Sequence, residues 1–211
     1  MDLQEQLRKL ETIQFLSLPR GVLPPQGVPN DEIELVSEET YRLQCDHVMY
    51  PPITEEDLAS YERRLNIKLP SELVDFLFIV NGADLFRIHY SSKVLGDYWI
   101  PKYKILSASE LPTVNLQLLD TFQSYIEDDD DYPNDASLDY IAFCDVGDGN
   151  YLALLTEGDN EGFIFFLDHD YAYYPYRDIE EEGAYIRLAD SLNHWLDLLI
   201  QSKGRDGRRH W

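Results

Sequence analysis

Apolar residues recur at helical spacing between Thr54 and Gly82, and the polar residues among them mark where each helix starts and stops. Leu58, Tyr61 and Leu65 share one edge of a first helix, while Glu62, Arg63 and Arg64 lie on its other faces. Thr54 is its N-cap, with a hydroxyl that accepts from an orphan amide of the first turn. Glu55, Glu56 and Asp57 then set negative charge against the positive end of the helix dipole. Asn66 suits a left-handed C-cap. Ile67 and Leu69 alternate as an extended corner, and Pro70, with a fixed φ and no N–H, opens a second helix. Leu73, Phe76, Leu77 and Val80 form its buried stripe. Asn81-Gly82 stops it, because these residue types tolerate positive φ most easily.

Further along, the pattern changes from period 3.6 to continuous apolar runs. Tyr140 to Phe143, Tyr151 to Leu155 and Phe163 to Leu167 read as strands of an antiparallel meander, separated by the turn chemistry of Asp148-Gly149-Asn150 and of Glu157 to Gly162. These strands are too apolar for a fully wet face, so helices must cover at least one side. A closing helix carries Leu192, Trp195, Leu196 and Leu199 behind Asp190-Ser191. Leu116, Leu119, Phe122 and Ile126 read as an inserted helix with Asn115 as its cap. Leu3, Leu7 and Leu10 suggest a short amphipathic helix at the start, followed by a Pro- and Gly-rich stretch that forces an extended or turning path. Ile33 to Val36 and Tyr41 to Val48 fit either edge strands or a further helix. The expected fold class is α+β: a twisted antiparallel sheet covered by two N-terminal helices and a C-terminal helix. Residues 1–50 are an extension packed on or tethered to the domain, 51–202 the domain, and 203–211 a basic, glycine-spaced tail expected to fray.

The order of acidic helix start, short corner, Leu69-Pro70, apolar helix and Asn81-Gly82 resembles the SUKH superfamily. That group holds bacterial toxin-immunity proteins and fungal cell-wall synthesis regulators with a Smi/Knr-like domain. The meander with its acidic, glycine-containing turn from Asp145 to Asn150, the Asp168-His169-Asp170 that follows the third strand, and the Asp190-Ser191 helix start are similar to the family's downstream pattern. Asn66 stands where a glycine is common in the family. The resemblance implies the same α+β fold and a protein-binding role.

Composition narrows the partner. The 211-residue chain has 44% hydrophobic residues, enough for a buried core, and a formal net charge of −23. From Ile105 through Tyr176 there is no Lys or Arg. The run Glu127, Asp128, Asp129, Asp130, Asp131 sits in that window with Asp145 and Asp148. Mutual repulsion should spread such charge over loops and strand edges. Nucleic acid and anionic membrane are excluded as partners for this surface, and a basic protein is the complementary one. Solubility or a loop of low order also accounts for a run such as Glu127 to Asp131. No apolar window of about eighteen residues or more and no signal-peptide pattern is present, which points to a cytoplasmic protein. Cys45 and Cys144, far apart and without metal-ligand spacing, read as buried free thiols.

No established catalytic motif is present, and no cofactor or metal is expected. Cys45 and His47 would share a face only on a strand, and a nucleophile there is disfavoured. Asp168, His169 and Asp170 offer metal ligands, but adjacent residues converge poorly, so a polar strand end with a solvated histidine is the simpler reading. Asp145, Asp148 and Asn150 lack the spacing of a calcium loop and fit turn formation better. Tyr171 and Tyr173 would share one strand face and Tyr174 and Tyr176 the other, forming either an aromatic anchor for a partner or one core pair and one flanking pair. The expected function is a non-enzymatic immunity protein that neutralises a basic toxin, such as a nuclease or deaminase. The partner-binding residues would be Glu127 to Asp131, Asp145, Asp148, Tyr171 and Tyr173. A regulatory scaffold and an acidic-site hydrolase are the alternatives.

Overall fold

The structure is a computed structural model that describes residues 2–19, 28–29, 33–37, 40–66, 68–92, 96–126, 138–170 and 186–204. The run Glu127 to Asp131, the tyrosines from Tyr171 to Tyr176 and the tail from residue 205 lie outside them.

The helical corner forms as its sequence dictates. Helix α1 (Leu3–Glu11) precedes it, and α2 (Glu55–Leu65) begins at Thr54, whose hydroxyl accepts from the Asp57 amide while the Asp57 carboxylate accepts from Thr54 N–H. This reciprocal box stabilises a helix start by about 1 kcal/mol. Asn66 takes φ 55°, the left-handed cap its residue type allows. Helix α3 (Ser71–Ile79) follows Pro70 and buries Leu73, Phe76 and Leu77. Its end differs from the expectation. Val80 is already extended, and of the Asn81-Gly82 pair only Gly82 has positive φ. A Cβ on Gly82 would lie 2.8 Å from Ile105 O and from Ser107 N, so close backbone approach adds to the demand for glycine. Asn81 serves by its side chain, with Oδ1 accepting from Ala108 N at 2.8 Å.

Ten strands, β1 (Phe15–Pro19), β2 (Ile33–Ser37), β3 (Thr40–Met49), β4 (Ala83–Ser92), β5 (Gly96–Ile100), β6 (Tyr103–Ile105), β7 (Tyr140–Gly147), β8 (Asn150–Leu155), β9 (Ile164–Leu167) and β10 (Ile186–Ala189), form one antiparallel sheet among the described residues. The order is β1-β3-β4-β6-β7-β8-β9-β10, with β2 also on β3 and β5 also on β4. The two segments that fitted either strand or helix are thus strands. Strand β3 does double duty: Thr40 to Gln44 pair with β1, Thr40 to Leu43 also with β2, and Cys45 to Met49 pair with β4.

Two clusters hold the layers together. The main core runs from Leu7, Leu10, Leu16 and Leu43 through the α3 stripe to Ile141, Phe143, Leu152, Leu154, Trp195 and Leu196. Tyr140, Ala153, Leu155, Phe163, Phe165 and Leu167 point to the other face of the meander, where Leu118 and Leu138 pack on them. Both faces of β7–β9 are therefore buried, which explains runs with no polar alternation.

Helix α4 (Leu111–Ile126) starts earlier than expected, and Asn115 does not cap it. The buried Asn115 sits in the second turn, on the stripe Leu111, Leu118 and Phe122. Its Nδ2 donates to Ala142 O and its Oδ1 accepts from Ala142 N, each at 2.9 Å. A carboxamide thus completes the ladder of β7 where β6 has run out. Helix α5 (Leu192–Ser202) is capped by Ser191, which accepts from His194 N, and by Glu72 of α3, which accepts from Leu192 N at 2.7 Å. Helices α1 and α3 both pack on α5, and α2 packs on α4.

Candidate protein-binding surface

A two-residue hairpin turn carries the first of the expected acidic contacts. Asp148 and Gly149 take φ 55° and 79° between the paired Gly147 and Asn150, the tight turn that matches strand twist. Asp148 is exposed at its tip. Asp145 is not in the turn: it is half-buried within β7, paired in register with Lys104 and with Tyr151, and its Oδ1 accepts from Gly147 N at 2.8 Å.

The same end of the meander brings in Asp168, His169 and Asp170. Asn150 Oδ1 accepts from His169 N at 2.9 Å and lies 3.1 Å from His169 Nδ1, so that nitrogen carries a proton. Ligand atoms of Asp168, His169 and Asp170 fall within 4.8 Å of one another. Asp170 N donates to Asp168 Oδ1 at 3.0 Å, and His169 and Asp170 are exposed, so a solvated polar turn accounts for the group. At the opposite end of the strands, Glu157, Asp159 and Glu161 are exposed in the β8–β9 turn. Strand β8 separates the two acidic ends by roughly 17 to 20 Å. Repulsion is thus relieved by distance along apolar strands.

Cations near this surface are already engaged. Lys104 Nζ lies 2.6 Å from Glu110, and that bond, with help from Asp84 and Asp145, raises the lysine above its ordinary value. Burial works against ionisation of Glu110, but bonds from Lys104 and from Ser107 outweigh it and hold the carboxyl below its usual range. Arg87 makes a two-pronged pair with Asp46, at 2.7 and 2.6 Å. Tyr50 donates to Asp84 at 2.8 Å. Burial, then the nearby Asp145, pushes the half-buried Tyr151 phenol up. At the corner after α2, Arg63, Asn66 and Lys68 line a solvent-open groove of about 600 Å³, and Lys68 is bound to Glu62.

Sequence reasoning did not find this charged ladder across β3, β4, β6 and β7. The presence of Asp84 and Arg87 among apolar neighbours was its only signal. Of the nine residues expected to meet a partner, the structure places Asp145 and Asp148, and it separates their roles into a paired strand residue and a free tip.

Cys45 and His47 do lie on one strand, yet both reach a single acceptor. Cys45 Sγ is 3.8 Å and His47 Nε2 2.8 Å from Ile13 O. Burial first, then the Asp46 charge, pushes the thiol up to about 12, so no thiolate nucleophile exists there at neutral pH. Cys144 is buried as well. No helix among the described residues is long and apolar enough to cross a membrane.

The model of the SMI1 / KNR4 family (SUKH-1) matches residues 52–198, from the residue before Ile53 to the last turn but one of α5. No curated protein matches the chain.

Proposed function

The chain belongs to the SMI1 / KNR4 family (SUKH-1), and on that premise we propose that it is a non-enzymatic, cytoplasmic immunity protein that occludes a basic toxin. The family includes immunity proteins and cell-wall regulators, and its domains bind proteins. The observation that carries the finer reading is the segregation of exposed carboxylates at the ends of the β7–β9 meander, while Lys104 and Arg87 are held by Glu110 and Asp46. Such a surface draws in a cationic partner faster than a neutral one and rejects nucleic acid. Asp148 steers the approach, and the tyrosines from Tyr171 to Tyr173 slow release. The thiol and imidazole of Cys45 and His47 are committed to the main chain, which favours binding over catalysis.

The test is capture of the product of the adjacent gene by the purified chain, followed by association kinetics at low and moderate salt. Asp148→Asn combined with Asp170→Asn should lower the association rate about threefold to tenfold at low salt and flatten its salt dependence. An unchanged rate removes this end of the sheet from the mechanism. Capture of signalling or cell-wall proteins in place of a basic partner moves the assignment to the regulatory branch of the family.

A further inference from the structure

His47 is the joint between the segment that precedes the family match and the sheet within it. The ring is two-sided. Its Nδ1 accepts from Phe86 N at 3.2 Å, which requires that Nε2 carry the proton, and Nε2–H donates to Ile13 O at 2.8 Å. Ile13 lies between α1 and β1, and Phe86 is the irregular residue of β4, where the register with β3 slips. Phe86 holds φ 52° although it is bulky and not glycine, a conformation that persists only where its surroundings enforce it. Its ring is fully buried, 4.7 Å edge-to-face from His47, and Gly204 at the end of α5 is packed against it. Lys102 N donates to Phe86 O at 3.3 Å and Lys102 Nζ to Gly204 O at 2.8 Å. One imidazole therefore ties the arm formed by α1 and β1 to the bulge on which the C-terminal helix ends.

We propose that His47 is an acid-sensitive clasp: a proton on Nδ1 sets two N–H donors against each other at Phe86 while Nε2–H keeps its hold on Ile13, so that β3, with the α1–β1 arm still bonded to it, loosens from the β4 bulge. Water has a route to the ring through a polar cavity of about 330 Å³ lined by Glu11, Gln14, Gln44, Asp46 and His47 itself. The charges that face the imidazole are Asp46 on its own strand, Glu11 at the end of α1 and Arg87 on β4. Burial dominates and lowers the ring from its ordinary 6.5, against the pull of the Ile13 bond and the two carboxylates. Cys45, the other donor to Ile13 O, keeps its proton throughout this range. The sign follows. The opened state takes up a proton at the ordinary value and the closed state only below it, so closure is complete above pH 6.5 and is lost as pH falls beneath it.

Amide exchange on the full chain, corrected for the intrinsic pH dependence of exchange, reads the clasp at Phe86, whose amide donates to His47 Nδ1, with Cys45, whose amide donates to Gln14 O, as the internal reference. From pH 7.5 to 5.5 the opening constant at Phe86 should rise, by at most about tenfold, the ceiling set by proton uptake on a free imidazole. His47→Gln should abolish the rise, and His89→Gln should keep it. Protection at Phe86 that does not change with pH, or a His47→Gln variant with the wild-type slope, overturns the proposal. Should His47→Gln fail to fold, the ring proton of His47 in the wild-type chain decides by NMR: a midpoint below 6.5 supports the clasp, and a midpoint at or above 6.5 refutes it.

Discussion

Two glycines at positive φ mark close approaches in this chain, and their neighbours differ in kind. At Gly82 an added Cβ would meet Ile105 O and Ser107 N at 2.8 Å, both main chain. At Gly204 it would meet the Phe86 ring at 2.7 Å and Leu16 Cδ1 at 2.8 Å, both side chains. The first joint lies inside the family match and is secured by the Asn81 side chain. The second brings the end of α5 against the β4 bulge and against β1, which precedes the match. Backbone against backbone cannot yield locally, whereas a ring and a leucine can turn. The matched region is closed by rigid geometry, and the arm before it by adjustable packing and one titratable ring.

Three substitutions press on that contrast. Gly82→Ala should cost about 3 kcal/mol or more in urea unfolding, because both φ and the backbone contacts oppose it. A loss under about 1 kcal/mol would mean that β6 can retreat, and the distinction between the joints would collapse. Asn115→Leu preserves the helix stripe but strands the buried N–H and C=O of Ala142, at a cost of about 2 to 3 kcal/mol. Thermal unfolding measures it, and a neutral result would show that the β7 edge finds other partners. Gly204→Ala should cost about 1 to 2 kcal/mol, and less in a Leu16→Ala background, since the smaller side chain opens the space. Strict additivity in that double-mutant cycle would argue that φ alone matters at Gly204.

The elements that could be read from residues are those whose pattern keeps one period throughout. The two helices between Thr54 and Gly82 and the closing helix do so, while the meander is read instead from continuous apolar runs between turn residues; these elements form as expected apart from the end of α3. Strand β4 does not. Leu85 and Phe86 are consecutive and both fully buried, because the positive φ at Phe86 resets the alternation, and no rule of period two survives it. Strand β6, three residues long, is too short to show a period. Asn115 betrayed itself only as a polar residue on an apolar stripe, and capping chemistry offered a simpler account than pairing with a strand distant in sequence. The candidate site was legible in charge but not in geometry. Acid content placed Asp145 and Asp148 together, while only the register with Lys104 separates a residue that is paired from one that is free. The remainder of the expected contact set lies outside the described residues.

The sharing of β3 has a practical meaning for anyone who divides this chain. A fragment begun at the first matched residue would discard Asp46 and with it the two-pronged pair to Arg87. It would also bare the face of α5 on which α1 now packs, and leave β4 as a raw sheet edge. Such a truncation would be sticky and would pair with copies of itself. For this chain the span that identifies the family is shorter than the span that completes its sheet and core.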